Sequence, residues 1–194
     1  MPPTKLKRWP SLSDQIHRAD GRIKSYRKAF PLTLDNAKKG DPFAQSLLGY
    51  FYVTGRGVKN NSRAAKRWFT KAANQNDSVT MTNLALMYEV GQGVPVNERE
   101  AVMWYSKAAR RGDEMAQTNL GIMYISGQGV RRDAVRGVAW LKKAALQGHR
   151  RALYNLGVAY LRGEGVQLNE RAGKRYLKMA AKSGDRNAIR FLAR

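Results

Sequence analysis

Cysteine is absent from the 194 residues, which excludes disulfides, thiolate metal sites and a cysteine nucleophile. Histidine is nearly absent: His17 and His149 are the two copies, and neither sits in a catalytic constellation. Acid is scarce, with 14 Asp and Glu against 36 Lys and Arg, for a formal charge of +22. Such a field draws anions and speeds encounter with acidic partners without naming them. No apolar run approaches the roughly 18 to 20 residues that a membrane helix requires. Residues 1–20 hold basic groups but no apolar h-region of a secretory leader, so the expected location is cytoplasmic, or periplasmic for an exported chain already trimmed. With 43% hydrophobic and 26% charged residues, the composition is that of a soluble folded domain of ordinary size.

What the chain does have is an internal repeat. Gly-x-Gly-Val occurs at Gly55–Val58, Gly91–Val94, Gly127–Val130 and Gly163–Val166, each copy 36 positions after the last. Leu48, Leu84, Leu120 and Leu156 keep the same interval, as do Tyr52, Tyr88, Tyr124 and Tyr160, and the pairs Ala72-Ala73, Ala108-Ala109, Ala144-Ala145 and Ala180-Ala181. A fixed period of a few dozen residues is the mark of a solenoid whose units bury their apolar faces on one another.

Residues 1–10, with Pro2, Pro3 and Pro10 among Lys5, Lys7 and Arg8, suit a basic extended arm. Residues 11–40 suit N-terminal capping helices. A first helix is expected from Ser13 through Leu12, Ile16, Ala19, Ile23 and Phe30 spacing, and a second from Pro31, a residue favoured in a first helical turn, to about Lys39. The second helix stands in register with the end of a repeat, as a degenerate copy would. Four units follow, 41–77, 78–113, 114–149 and 150–185. In each, helix A is capped by Asp41, Asp77, Asp113 or, in the odd copy, His149, and stopped by the first glycine. Helix B is capped by Asn61, Asn97, Asp133 or Asn169 and leaves through Asn76, Gly112, Gly148 or Gly184. The apolar stripes are Ala44, Leu48, Phe51 and Tyr52 on helix A, and Ala65, Trp68, Phe69, Ala72 and Ala73 on helix B. Residues 186–194 suit a short C-terminal capping helix, with Ala188 and Leu192 in the helix A register.

The run Ala116-x-x-x-Leu120-Gly121-x-x-Tyr124-x-x-Gly127-x-Gly129-Val130, followed by Ala144-Ala145-x-x-Gly148, resembles the Sel-one-like repeat (SLR), a relative of the tetratricopeptide repeat. The likeness covers about residues 41–185. Thr80 replaces the helix A alanine, Ala85 the glycine, and Gly137 and Gly173 the helix B alanine. The resemblance implies an all-α, right-handed, TPR-like α-solenoid of antiparallel helix pairs, with helix A lining a concave groove. It also implies a protein–protein interaction scaffold or adaptor with no catalytic residues.

Under that implication the groove positions lie just off the packing stripe. They are Phe43, Ser46, Tyr50, Val53 and Thr54; Val79, Thr82, Leu86, Glu89 and Val90; Met115, Thr118, Ile122, Ile125 and Ser126; and Arg151, Tyr154, Val158, Leu161 and Arg162. So apolar a lining suits a peptide or amphipathic helix of a protein partner, anchored by Tyr50, Leu86, Ile122 and Val158, with Glu89 as its one carboxylate. The charge favours an acidic partner, such as a toxin or regulatory protein. The competing reading has the same side chains packing against the neighbouring helix A. The basic residues of helix B, Arg63, Lys66, Arg67 and Lys71, and Arg171, Lys174, Arg175, Lys178 and Lys182, make a nucleic-acid-associated protein the alternative. No nucleic-acid motif accompanies them and the core consumes the aromatics. An enzyme accessory subunit comes third. Asn83, Asn119 and Asn155 suit a hydrogen-bond ladder between repeats. The glycine turns lack the Lys-Ser/Thr of a phosphate loop, and no pattern asks for a cofactor or metal.

Overall fold

The structure, a computed structural model, describes residues 25–193. Among these it contains ten α-helices and no strand: α1 Tyr26–Lys38, α2 Pro42–Thr54, α3 Ser62–Asn74, α4 Ser78–Val90, α5 Glu98–Arg110, α6 Glu114–Ser126, α7 Ala134–Leu146, α8 Arg150–Arg162, α9 Glu170–Lys182 and α10 Arg186–Leu192. The expected basic arm and first capping helix lie outside the described residues, apart from Phe30. The chain divides into two compact units, one ending at Val96 and one beginning at Asn97. The division falls between the helices of a single repeat.

Helices α1 to α9 are each 13 residues long, because start and stop signals recur at fixed spacing. Asn61, Asn97, Asp133 and Asn169 each accept a hydrogen bond from the backbone N–H three residues on, satisfying a donor the first turn leaves open. Asp41 and Asp113 do the same for α2 and α6. Asp77 instead receives the Thr80 hydroxyl, and that hydroxyl also meets Ser46 Oγ at 2.7 Å. The one non-small departure from the repeat, Thr80, is thus fully buried yet satisfied.

The second N-terminal helix does not begin at Pro31. Helix α1 starts at Tyr26 and runs through the proline. Tyr26 packs edge-on against Phe51 and Phe30 edge-on against Tyr52, so a helix begun only at Pro31 would leave both rings outside it. The hydrogen bond that proline cannot make belongs to the carbonyl of Arg27. Both residues are exposed, where water can replace it. The bounds of α1 stand 36 residues before those of α3, which makes it a helix B in strict register.

In the first unit Ala44, Leu48 and Phe51 of α2 are sealed against Ala29 and Ala37 of α1. In the second unit Leu141, Leu156, Leu177, Ala144, Ala152, Ala180 and Ala188 form one buried cluster. In α10, Ala188 is buried as its register demands, while Leu192, expected at a core position, is exposed. No described helix follows to cover it.

The second glycine of each turn does more than permit positive φ. A methyl group on Gly57 would collide with the carbonyl of Tyr26, on Gly93 with the side chain of Ser62, on Gly129 with the carbonyl of Glu98, and on Gly165 with that of Ala134. All four struck residues are the first of a helix B, each 31 positions earlier. The turn of one repeat is therefore seated on the helix B start of the repeat before it.

Two alanine substitutions separate this contact from turn strain. Gly112 also has positive φ but has open space around it, so Gly112→Ala costs about 1–2 kcal/mol from backbone strain alone. Gly129→Ala adds overpacking against α5 and loses about 1–3 kcal/mol more in chemical denaturation. Equal losses would show that the contact contributes nothing.

Candidate functional site

The off-stripe side chains of the A helices are the candidate partner surface, and the two units present them differently. In the first unit Tyr50 is 38% exposed, Leu86 41% and Val90 59%, with Val79 exposed beside them on α4. Phe43 and Val53 are half-buried, and Phe43 packs onto the core cluster. Glu89 is half-buried and is not a free carboxylate. Tyr50 is held in place: Arg56 Nη1 donates to its hydroxyl at 2.9 Å and to that of Tyr26 at 2.8 Å, with the guanidinium over both rings. Arg56 is the variable residue inside the first Gly-x-Gly, so its recurrence-free position hid it from sequence reasoning.

In the second unit Met115 stands 50% exposed, whereas Ile122, Ile125, Tyr154, Val158 and Leu161 are half-buried and packed on the core. Two of them fill a specific gap. A methyl on Gly137 would come within 2.6 Å of Ile125 Cγ1, and one on Gly173 within 2.7 Å of the Leu161 side chain. Ile125 and Leu161 thus lie against helix B, in the space vacated where glycine replaces the repeat's alanine. Where helix B keeps alanine, at Ala65, helix A carries the smaller Val53. This exchange of volume is readable in the sequence only once the pair is known to touch.

Two further corrections concern polar residues. Thr82 and Thr118 do not line an open surface; both are buried, their hydroxyls bonded to the carbonyls of Ser78 and Glu114 one turn back. Of the asparagines expected to ladder between repeats, Asn119 accepts from Arg151 of the next repeat at 3.1 Å, whereas Asn155 donates to the Arg151 carbonyl within its own helix. Glutamines form further links between repeats. Gln45 Nε2 donates to the Ala37 carbonyl while its Oε1 accepts from Gln75, which also reaches the Gly40 carbonyl. Gln117, Gln147, Ala109 and Gly112 repeat the arrangement in the second unit. The signal was a recurrence at twice the repeat length.

His149, where other copies place Asp, makes no cap bond. Its Nδ1 lies 2.8 Å from the Thr118 hydroxyl. Burial holds its pKa below the usual 6.5, with Arg151 and Arg150 acting in the same direction and Glu114 and Asp113 opposing. On helices α3, α5 and α7 Lys71, Lys107 and Lys143 lie over Trp68, Trp104 and Trp140 at 4.7, 4.2 and 4.3 Å. These are one repeat position three times over, so part of the charge is pinned to indole faces. Among the described residues no group of three or more His, Asp or Glu could hold a metal ion, and no helix is long and apolar enough to cross a membrane.

Comparison with known proteins agrees with this architecture. The Sel1 repeat family model matches residues 42–77, 78–113, 114–149 and 150–185. A solved Sel1 repeat protein from Oxalobacter formigenes is 35% identical, with a TM-score of 0.82 over 87% of this chain and 67% of that one. A protective antigen of uropathogenic Escherichia coli displaying an SLR fold is also 35% identical, with a TM-score of 0.81, covering 84% of this chain and 35% of that one. A chitin synthase regulator of Saccharomyces cerevisiae is 43% identical over 54 residues, 28% of this chain and 8% of its own length. The chain therefore spans only a small part of that regulator and about a third of the antigen. An immunity protein from Pseudomonas aeruginosa shares the fold at 23% identity, with a TM-score of 0.61 over 97% of this chain and 68% of its own. The fold is an all-α repeat solenoid.

Two measurements test the packing and the histidine. Gly137→Ala costs about 1–3 kcal/mol by overpacking against Ile125 Cγ1 and the Gly121 carbonyl, and adding Ile125→Ala, which removes that γ carbon, recovers the part due to the side chain; additive losses in the double-mutant cycle would show that the two positions do not share a gap. A base whose folded pKa is lowered binds fewer protons folded than unfolded below pH 6.5. His149 therefore contributes stability that is full above 6.5 and is lost as pH falls through its folded value. The melting temperature of His149→Asn falls less than that of the parent across this window, and identical pH profiles would remove the histidine from the account.

Proposed function

The chain belongs to the Sel1 repeat family, whose members generally mediate protein–protein interaction, and from that premise we propose that it is a non-catalytic adaptor gripping an amphipathic helix or extended peptide of an acidic partner. The observation that carries this reading is the group of apolar side chains standing clear of the first unit at Tyr50, Leu86 and Val90. Exposed apolar groups gathered on one set of helices mark a partner surface more often than chance exposure does. Tyr50 and Leu86 occupy one repeat position on successive A helices, a spacing that suits successive turns of a bound segment. Arg56 fixes the Tyr50 ring in advance, so little side-chain freedom is lost on binding. Ile122 and Val158 hold the same position in the second unit but rest on its core, and they would contribute a flatter contact. The charge of +22 favours an acidic segment by steering rather than by affinity. A toxin or a regulatory protein is the class of partner that suits a small adaptor of this kind.

The test replaces Leu86, in the full chain, with a photo-crosslinking amino acid and applies it in native extract. A defined acidic protein is expected to be trapped, and the combined Tyr50→Asp, Leu86→Asp change to abolish partner capture in a pull-down. That variant melts within a few degrees of the parent, since both side chains are substantially exposed and such changes cost about 1 kcal/mol or less. The same crosslinker at Leu146, which is 89% exposed at the end of α7, should trap nothing. Identical adducts from both positions would defeat the proposal.

A further inference from the structure

The second unit carries a different kind of surface on α9. Arg171, Lys174, Arg175, Lys178 and Lys182 are all exposed. Their spacing of three and four places them along one face of the helix, over about 16 Å at 1.5 Å per residue. The first four line a shallow recess of about 610 Å³, shared with Glu170. Glu170 meets Lys174 at 3.6 Å, and this is an exposed pair of little energy. The helix B of the preceding repeat, α7, differs in kind: Arg136, Lys142 and Lys143 each lie over an aromatic ring. Of the five cations on α9, Arg175 alone among the described residues does so, over Tyr176.

We propose that this face of α9 binds the phosphodiester backbone of nucleic acid, without regard to base sequence. The strip is charged throughout, with no apolar side chain between its cations; the flank holds Met179. Protein interfaces place apolar residues at their centre and deplete charge there, and membrane-surface helices need an apolar face to enter the lipid. Neither description fits α9. A phosphate backbone asks for what the strip has, a line of cations about one helical turn apart, two of them guanidiniums able to take phosphate oxygens in pairs. Bases are not read, because Tyr176 is half-buried and stacked on Tyr160 at 5.6 Å, leaving no ring on this face for stacking. Duplex DNA and single-stranded RNA offer the same backbone chemistry, and both should bind. This surface is separate from the apolar residues of the first unit, so either reading can fail alone.

Fluorescence anisotropy with the full chain, using a labelled duplex DNA and a single-stranded RNA of equal length, tests the proposal. With about four phosphate contacts, affinity for the duplex falls on the order of 100-fold between 50 and 200 mM salt, and the RNA shows a shallower slope. The variant with Arg171, Lys174, Arg175 and Lys178 all changed to Gln loses most binding and most of the salt slope. A control removing equal charge from exposed positions of the first unit, with Arg27, Lys28, Arg63 and Arg67 changed to Gln, keeps both. The Tyr50→Asp, Leu86→Asp variant also keeps both. Circular dichroism melts establish that the strip variant folds. No binding at 50 mM salt overturns the proposal, as does equal loss in the control, which would mean net charge alone. Displacement by polyglutamate as readily as by RNA overturns it in favour of an acidic polypeptide, and strip-dependent uptake by phosphatidylserine vesicles without nucleic-acid binding overturns it in favour of a lipid surface.

Discussion

The seat of each turn's second glycine on the start of the preceding helix B sets the geometry on which the other contacts depend. Gly57, Gly93, Gly129 and Gly165 bring one repeat's turn against the first residue of the helix B before it, at a distance only a residue without Cβ allows. With the turn fixed there, the backbone N–H of Asn61, Asp133 and Asn169 reaches the carbonyl of Tyr52, Tyr124 and Tyr160. Each helix B then leaves from the same place relative to its helix A. The 36-residue period is the sequence record of this contact, repeated wherever two neighbouring repeats meet within a unit.

Around that seat the chain varies in compensated ways. Where helix B has glycine in place of alanine, at Gly137 and Gly173, helix A answers with Ile125 and Leu161. Where a glutamine is buried at position 45 or 117, a second glutamine comes down from the helix B exit to satisfy it. Met81 and Leu153 fill the same register in the alternate repeats and need no such partner. Interiors packed to crystal-like density tolerate changes of volume or polarity only in matched sets. The matching accounts for why repeats of one fold differ so much in residue type without losing their spacing.

The surface divides by chemistry. Apolar groups stand exposed on α2 and α4, with Tyr50 braced by Arg56, while exposed cations, of which Arg175 lies over a ring, follow one line on α9. Between these extremes lie basic residues held over tryptophan and tyrosine rings, where a cation is already partly satisfied. The formal charge of the chain is therefore not one uniform field. Some of it is held over aromatic rings, and on α9 five exposed cations share one helix face.

The sequence alone determined the helices of the four repeats, their register and most of their caps, Asp77 and His149 excepted, because backbone capping and turn chemistry act over three or four residues and recur at a visible interval. It misjudged Pro31, since a lost hydrogen bond at a solvent face counts for less than the burial of Tyr26 and Phe30. It placed Tyr50, Leu86, Val90 and Met115 on an open surface, where they stand, and grouped with them Ile125, Leu161, Thr82 and Thr118, which face inward. Only the tertiary structure decided among these, because exposure depends on what another helix puts opposite a side chain. Leu86 and Ile122 hold one repeat position, yet Leu86 is exposed while Ile122 rests on the core of its unit, and nothing in the periodic pattern tells them apart.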